Sequence, residues 1–66
     1  MAFAENLRNL RNMKGISQKE LADILKISLK TISHWETGYC EPSISQLIAL
    51  SELFDVTVDD LIKKEI

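Results

Sequence analysis

In the stretch "ISLKTISHWETG", residues 27–38, Lys30, Ser33, His34 and Thr37 recur at intervals of three and four. That spacing lines them along one side of a helix. Ile32 and Trp35, with Glu36 beside them, fall on the other side. A row of this kind can do one recognisable piece of chemistry, which is to read base edges in a duplex. A helix fits the major groove, where Lys donates to guanine O6 and N7 and Ser serves either base type. Leu29 lies close to the Ser33 side and can touch a thymine methyl. The plain alternative is a solvated helix face on which His34 is idle and Leu29 merely covers the edge of the core.

Other chemistry is poorly provided for. Cys40 is the only cysteine and His34 the only histidine, so no metal cluster is expected. No Ser/His/Asp or Cys/His arrangement is legible, and so small a fold offers no deep pocket. Neither an enzyme nor a cofactor is expected. No second domain to hold a small-molecule effector is expected.

The elements that must position the row read as five helices. Apolar spacings of three and four recur throughout, and no segment sustains the alternation of a strand. In "FAENLRNLRNM", Phe3, Leu7, Leu10 and Met13 form a stripe that ends at Lys14-Gly15, where glycine supplies a left-handed stop. "ISQKEL" offers a capping box, Ser17 with Glu20, flanked by Ile16 and Leu21 at the staple positions. Helix two then runs to about Leu25 with Leu21, Ala22 and Leu25 inward. Lys26 and Ile27 alone separate it from a new cap at Ser28, so helix three begins at Leu29 and stops near Thr37-Gly38. Ser43 and Gln46 repeat the box for helix four, which runs to about Phe54 and is expected to bury Ile44, Leu47, Ile48 and Phe54. Thr57 caps helix five, with Val56 and Leu61 as its staple and Asp59 and Asp60 favourably placed for the helix dipole.

The expected fold is a compact all-α, five-helix single domain over residues 1–66. The link between helices two and three is too short for an antiparallel hairpin. The second helix must leave at a steep angle, with small Ala22 at the close approach. That is helix-turn-helix geometry, with helix three as the reading element.

Composition bounds the rest. At 66 residues and 45% apolar content, the chain must stabilise itself through an efficient core, with no intrachain disulfide. The start, "MAFAENLRNLRN", lacks the apolar stretch of a signal peptide, and no run approaches the ~18–20 residues of a membrane span. A soluble cytoplasmic protein with no membrane partner is expected. The net charge of −2 argues against indiscriminate binding to polyanions. It hides an asymmetry: residues 1–40 hold six Lys/Arg against four Asp/Glu, residues 41–66 two against six.

At this level the chain resembles the phage repressor and Cro-like helix-turn-helix domains, the xenobiotic-response-element type. The resemblance runs from about Asn6 to Ile62, carried by "SQKELA", "TISHWETG", "EPS" and "LSELFDVTVDDL" in order and at these spacings. It implies a lambda-repressor-like fold and roles for particular residues. Leu29, Lys30, Ser33 and His34 match base-contacting positions. Gln18 matches a position that hydrogen-bonds a phosphate, and a helix N-terminus with an amide donor suits that role. Ser28, Thr31, Thr37, Gly38 and Tyr39 match backbone-contacting or groove-flanking positions. Arg11 and Glu36 match a structural ion pair between helix one and the end of helix three. One departure is Lys26, where the family usually has glycine. A non-glycine residue at positive φ there costs about 1 kcal/mol.

The implied function is sequence-specific binding of double-stranded DNA by a repressor-like transcriptional regulator that inserts helix three, about 29–37, into the major groove of an operator. Arg8, Lys14, Lys19 and Lys26 can add background attraction to phosphate. The acidic pole, Glu52, Asp55, Asp59, Asp60 and Glu65, should face away from DNA. Leu61, Ile62 and Ile66 either supply apolar surface near the end of helix five or finish the core of the monomer. A homodimer through helix five and adjoining loops would then read a near-palindrome. The competing reading is an antitoxin or other protein-interaction module on the same fold, its acidic half suited to a basic partner.

Overall fold

The computed structural model describes residues 2–63, and among them every regular element is helical. The order is α1 Phe3–Lys14, α2 Gln18–Leu25, α3 Leu29–Thr37, α4 Ile44–Phe54 and α5 Val58–Ile62. Four of the five starts follow from a hydroxyl placed just ahead of the helix. Ser17 accepts from the Glu20 N–H while the Glu20 side chain accepts from the Ser17 N–H, and Ser43 and Gln46 repeat the exchange. Ser28 and Thr57 cap α3 and α5 through single bonds from the Thr31 and Asp60 N–H groups. Each bond satisfies a backbone donor that the helix cannot satisfy itself. α1 begins without a side-chain cap. Its start is tied across the fold instead, the Ala2 N–H donating to the Ile62 carbonyl at 3.1 Å.

The core gathers Phe3, Leu7 and Leu10 from α1, Leu21 and Ala22 from α2, Ile32 and Trp35 from α3, Leu50 from α4 and Leu61 from α5. The Phe3 and Trp35 rings meet edge to face, with centroids 6.2 Å apart. Met13 extends the α1 stripe by spacing but is 75% exposed. It sits in the last turn, where the helix runs past the core before Gly15 ends it in the left-handed conformation.

α4 departs from the sequence expectation. Leu50 is fully buried, and Leu47, Leu53 and Phe54 pack partly against the core, whereas Ile44 and Ile48 are exposed. Leu47, Leu50 and Phe54 make the inward stripe at spacings of three and four. Ile48 is rotated about 100° from Leu47, and Ile44 projects from the first turn. Apolar residues surround this helix, so periodicity alone does not choose its buried face.

The α2–α3 corner turns at Lys26. Lys26 is left-handed, at φ 58° and ψ 44°, and the Ile27 N–H returns to the Ala22 carbonyl at 3.0 Å. Ala22 itself is buried. Asp55 ends α4 in the same conformation, at φ 54°.

α1 also holds α5. Buried Asn6 donates through Nδ2 to the carbonyls of Asp60 at 3.1 Å and Leu61 at 2.9 Å. Those carbonyls lie at the C-terminal end of α5, where helical partners run out. Of the two readings left open for Leu61, burial in the core is the one observed. Ile62 is partly buried against the same core, while Ile66 and Glu65 lie outside the described residues.

Candidate nucleic-acid interface

α3 is anchored by what it buries. Ile32, Trp35 and Glu36 are each at most 2% exposed. Their side of the helix is fixed, and Leu29, Lys30, Ser33, His34 and Thr37 are left on the remaining arc. Leu29, Lys30 and Thr37 are exposed, and Ser33 and His34 half-buried. The sequence-derived row is thus brought together along one helix, with one free ammonium chain, one hydroxyl, one imidazole and one leucine.

Glu36 is the hub behind that row. Its carboxylate accepts from Arg11 twice, Nε to Oε2 at 2.7 Å and Nη2 to Oε1 at 3.1 Å. Gln18 donates through Nε2 to the same Oε1 at 3.1 Å. Arg11 also donates through Nη1 to the Ile16 carbonyl at 3.0 Å. The hydrogen bond to Glu36 holds the Arg11 pKa above its ordinary value, against the opposing effect of partial burial. Arg8, expected as a source of loose attraction to phosphate, instead donates through Nη1 to the backbone carbonyl of Glu36 at 2.6 Å. That carbonyl is in the last turn of α3, where no helical N–H can reach it. The available signal was that Arg8 lies three residues before Arg11, on the same face of α1.

The flanking positions carry internal bonds of their own. Gln18, half-buried at the first position of α2, uses one amide hydrogen on Glu36 and has a second. Ser28 and Thr31 share a hydrogen bond of 2.8 Å between their hydroxyls. The Thr37 hydroxyl turns back to the carbonyls of Ser33 at 3.1 Å and His34 at 3.2 Å. Gly38 closes the helix at φ 79°, and Tyr39 beyond it stands 76% exposed. The Tyr39 ring lies 4.6 Å from that of His34, a contact across a glycine turn that helical spacing does not foresee.

Glu52, Asp55 and Asp59 are exposed on α4, its end and α5, and Asp60 is half-buried. Among the described residues no group of His, Cys, Asp or Glu is arranged to hold a metal ion. No described helix is long and apolar enough to cross a membrane.

The profile of the helix-turn-helix family matches residues 7–61, which takes in all of α2 and α3 and the corner between them. The chain belongs to the Cro-like helix-turn-helix family. This Cro-like domain is 40% identical over 65 residues to the HTH-type transcriptional activator BcrR of Enterococcus faecalis, covering 98% of this chain and 32% of that protein. It is 39% identical over 61 residues to the HTH-type transcriptional regulator AnsR of Bacillus subtilis (strain 168), covering 92% of this chain and 53% of that one. The crystal structure of a transcriptional regulator from Listeria innocua shares the Cro-like fold at a TM-score of 0.85 and 32% identity, over 89% of this chain and 55% of that chain. The chain spans from 32% to 55% of the length of these relatives.

Proposed function

We propose that this Cro-like domain is the DNA-reading unit of a repressor-like transcriptional regulator, working in the cytoplasm by laying α3 in the major groove of a double-stranded operator. The observation that carries the reading is the division of α3. Its apolar side and Glu36 are locked into the core, while Leu29, Lys30, Ser33 and His34 stand together on the outer side. Lys30 is the candidate partner of guanine, Ser33 and His34 are further polar contacts, and Leu29 meets a thymine methyl.

Backbone contacts set the register. Gln18 offers a phosphate its second amide hydrogen, oriented by the bond to Glu36, beside the open N–H groups at the start of α2. Ser28 and Thr31 flank one end of the reading row, and Thr37, Gly38 and Tyr39 the other. With little excess positive charge, specific binding should be salt-sensitive and non-specific binding weak.

So small a reading surface gains from doubling. Two copies associating through α5 and adjoining loops would present two α3 helices to a near-palindrome, with half-sites one turn of DNA apart. The test is selection of bound fragments from random duplex DNA at stated salt, followed by sedimentation of the protein with and without the enriched site. Enrichment of a two-fold-related sequence bound by two chains supports the proposal. Failure to enrich any sequence would move the assignment to a protein-interaction module.

A further inference from the structure

Gly38 ends α3 at φ 79°, and the chain folds back on the helix it has just left. Tyr39 and Cys40 both donate their backbone N–H to the His34 carbonyl, at 2.9 and 3.3 Å. The fold-back brings the Tyr39 ring over His34, with centroids 4.6 Å apart and planes inclined by 50°. His34 is half-buried beneath it, while Tyr39 is 76% exposed and takes no part in the core.

We propose that Tyr39 is a positioning residue for base readout: its ring fixes the His34 imidazole against the groove, so that selectivity at one base pair depends on a side chain that touches no base. The inference rests on the reading of α3 as the base-contacting helix. An uncovered histidine would sample several rotamers and would lose that freedom on binding. A tyrosine held by its own backbone at tilted-ring distance removes part of the cost in advance. This role differs from a bond between the tyrosine hydroxyl and a phosphate, which would add affinity on every sequence alike.

The two roles separate in one experiment. Affinities are measured for the selected operator and for each single base-pair change in a half-site, using the wild type, Tyr39→Phe, Tyr39→Ala, His34→Ala and the double alanine variant. The His34 side chains are followed by NMR in the free proteins. His34→Ala should lose about five- to hundredfold discrimination at one base pair. Tyr39→Ala should lose several-fold at that same base pair, together with the ring-current shift of the His34 protons. Tyr39→Phe should keep both, and the double variant should discriminate no worse than His34→Ala alone. An unchanged His34-dependent preference in Tyr39→Ala, with affinity lowered equally on all sequences, would overturn the inference while leaving α3 as the reader. No change of preference in His34→Ala would instead remove base reading at that residue, and the inference with it.

Discussion

Arg11 grips Glu36 across α1 and α3 through two N–H···O bonds, Nε to Oε2 at 2.7 Å and Nη2 to Oε1 at 3.1 Å, with the carboxylate 2% exposed. Bidentate geometry and the third donor from Gln18 make this burial tolerable. Burying the pair is not itself evidence of net stabilisation, but removing one member leaves a charge without its partner. Arg11→Ala should therefore cost about 3–5 kcal/mol. A domain of this size has roughly 3–10 kcal/mol in all. Replacing both, as Arg11→Met with Glu36→Leu, should cost less than the two single changes added together. Urea unfolding of the parent, Arg11→Met, Glu36→Leu and the double variant measures the coupling.

Arg11 has a definite pH dependence. The folded-state pKa of Arg11 is raised, first by its hydrogen bond to Glu36. The contribution from Arg11 is then fully present below the ordinary arginine value and is lost only as pH rises through the raised one. Between neutrality and pH 10, unfolding curves should show no loss attributable to Arg11.

Lys26 and Asp55 both sit at positive φ, 58° and 54°. Lysine has no side chain suited to that conformation, whereas aspartate tolerates it better. Lys26→Gly should raise stability by about 0.5–1 kcal/mol, and Asp55→Gly should give less. Thermal melting distinguishes the two. A loss on Lys26→Gly would mean that the lysine makes a compensating contact.

The face of α4 can be tested residue by residue. Leu50→Ala removes a fully buried side chain and should cost about 2–5 kcal/mol. Ile44→Ala, at a position 77% exposed, should stay within about 0.5 kcal/mol of the parent. Equal costs would indicate that Ile44 is covered in solution, by a second copy or by another part of a longer chain.

Asn6 ties α1 to the end of α5 through two carbonyl bonds. Asn6→Leu would leave those carbonyls without its donors and should cost about 1–3 kcal/mol. Hydrogen exchange should quicken in α5 before the core of α3 responds.

What the sequence made legible divides along the range of the interaction. Ser17, Ser28, Ser43 and Thr57 were readable as caps because each bonds within three residues of itself. The outward row of α3 was readable because Ile32 and Trp35 claim the opposite side. The positive φ of Lys26 was anticipated through family resemblance, from the glycine that the family usually carries there. Partnerships set by the tertiary fold were not readable in the same way. The inward role of Asn6, the bond from Arg8 to the Glu36 carbonyl and the ring contact of His34 with Tyr39 depend on where helices and turns arrive. The Arg11–Glu36 pair was anticipated through family resemblance and not through spacing. On α4, isoleucine and leucine on every side left the pattern silent.

Binding of the selected operator by Lys30→Ala is the most direct test of the central claim that α3 reads DNA. The substitution is at an exposed position and should leave the melting temperature close to that of the parent. Operator affinity should weaken by about five- to hundredfold, with preference relaxed at one base pair. A folded Lys30→Ala that binds every sequence as tightly as the parent would contradict that claim.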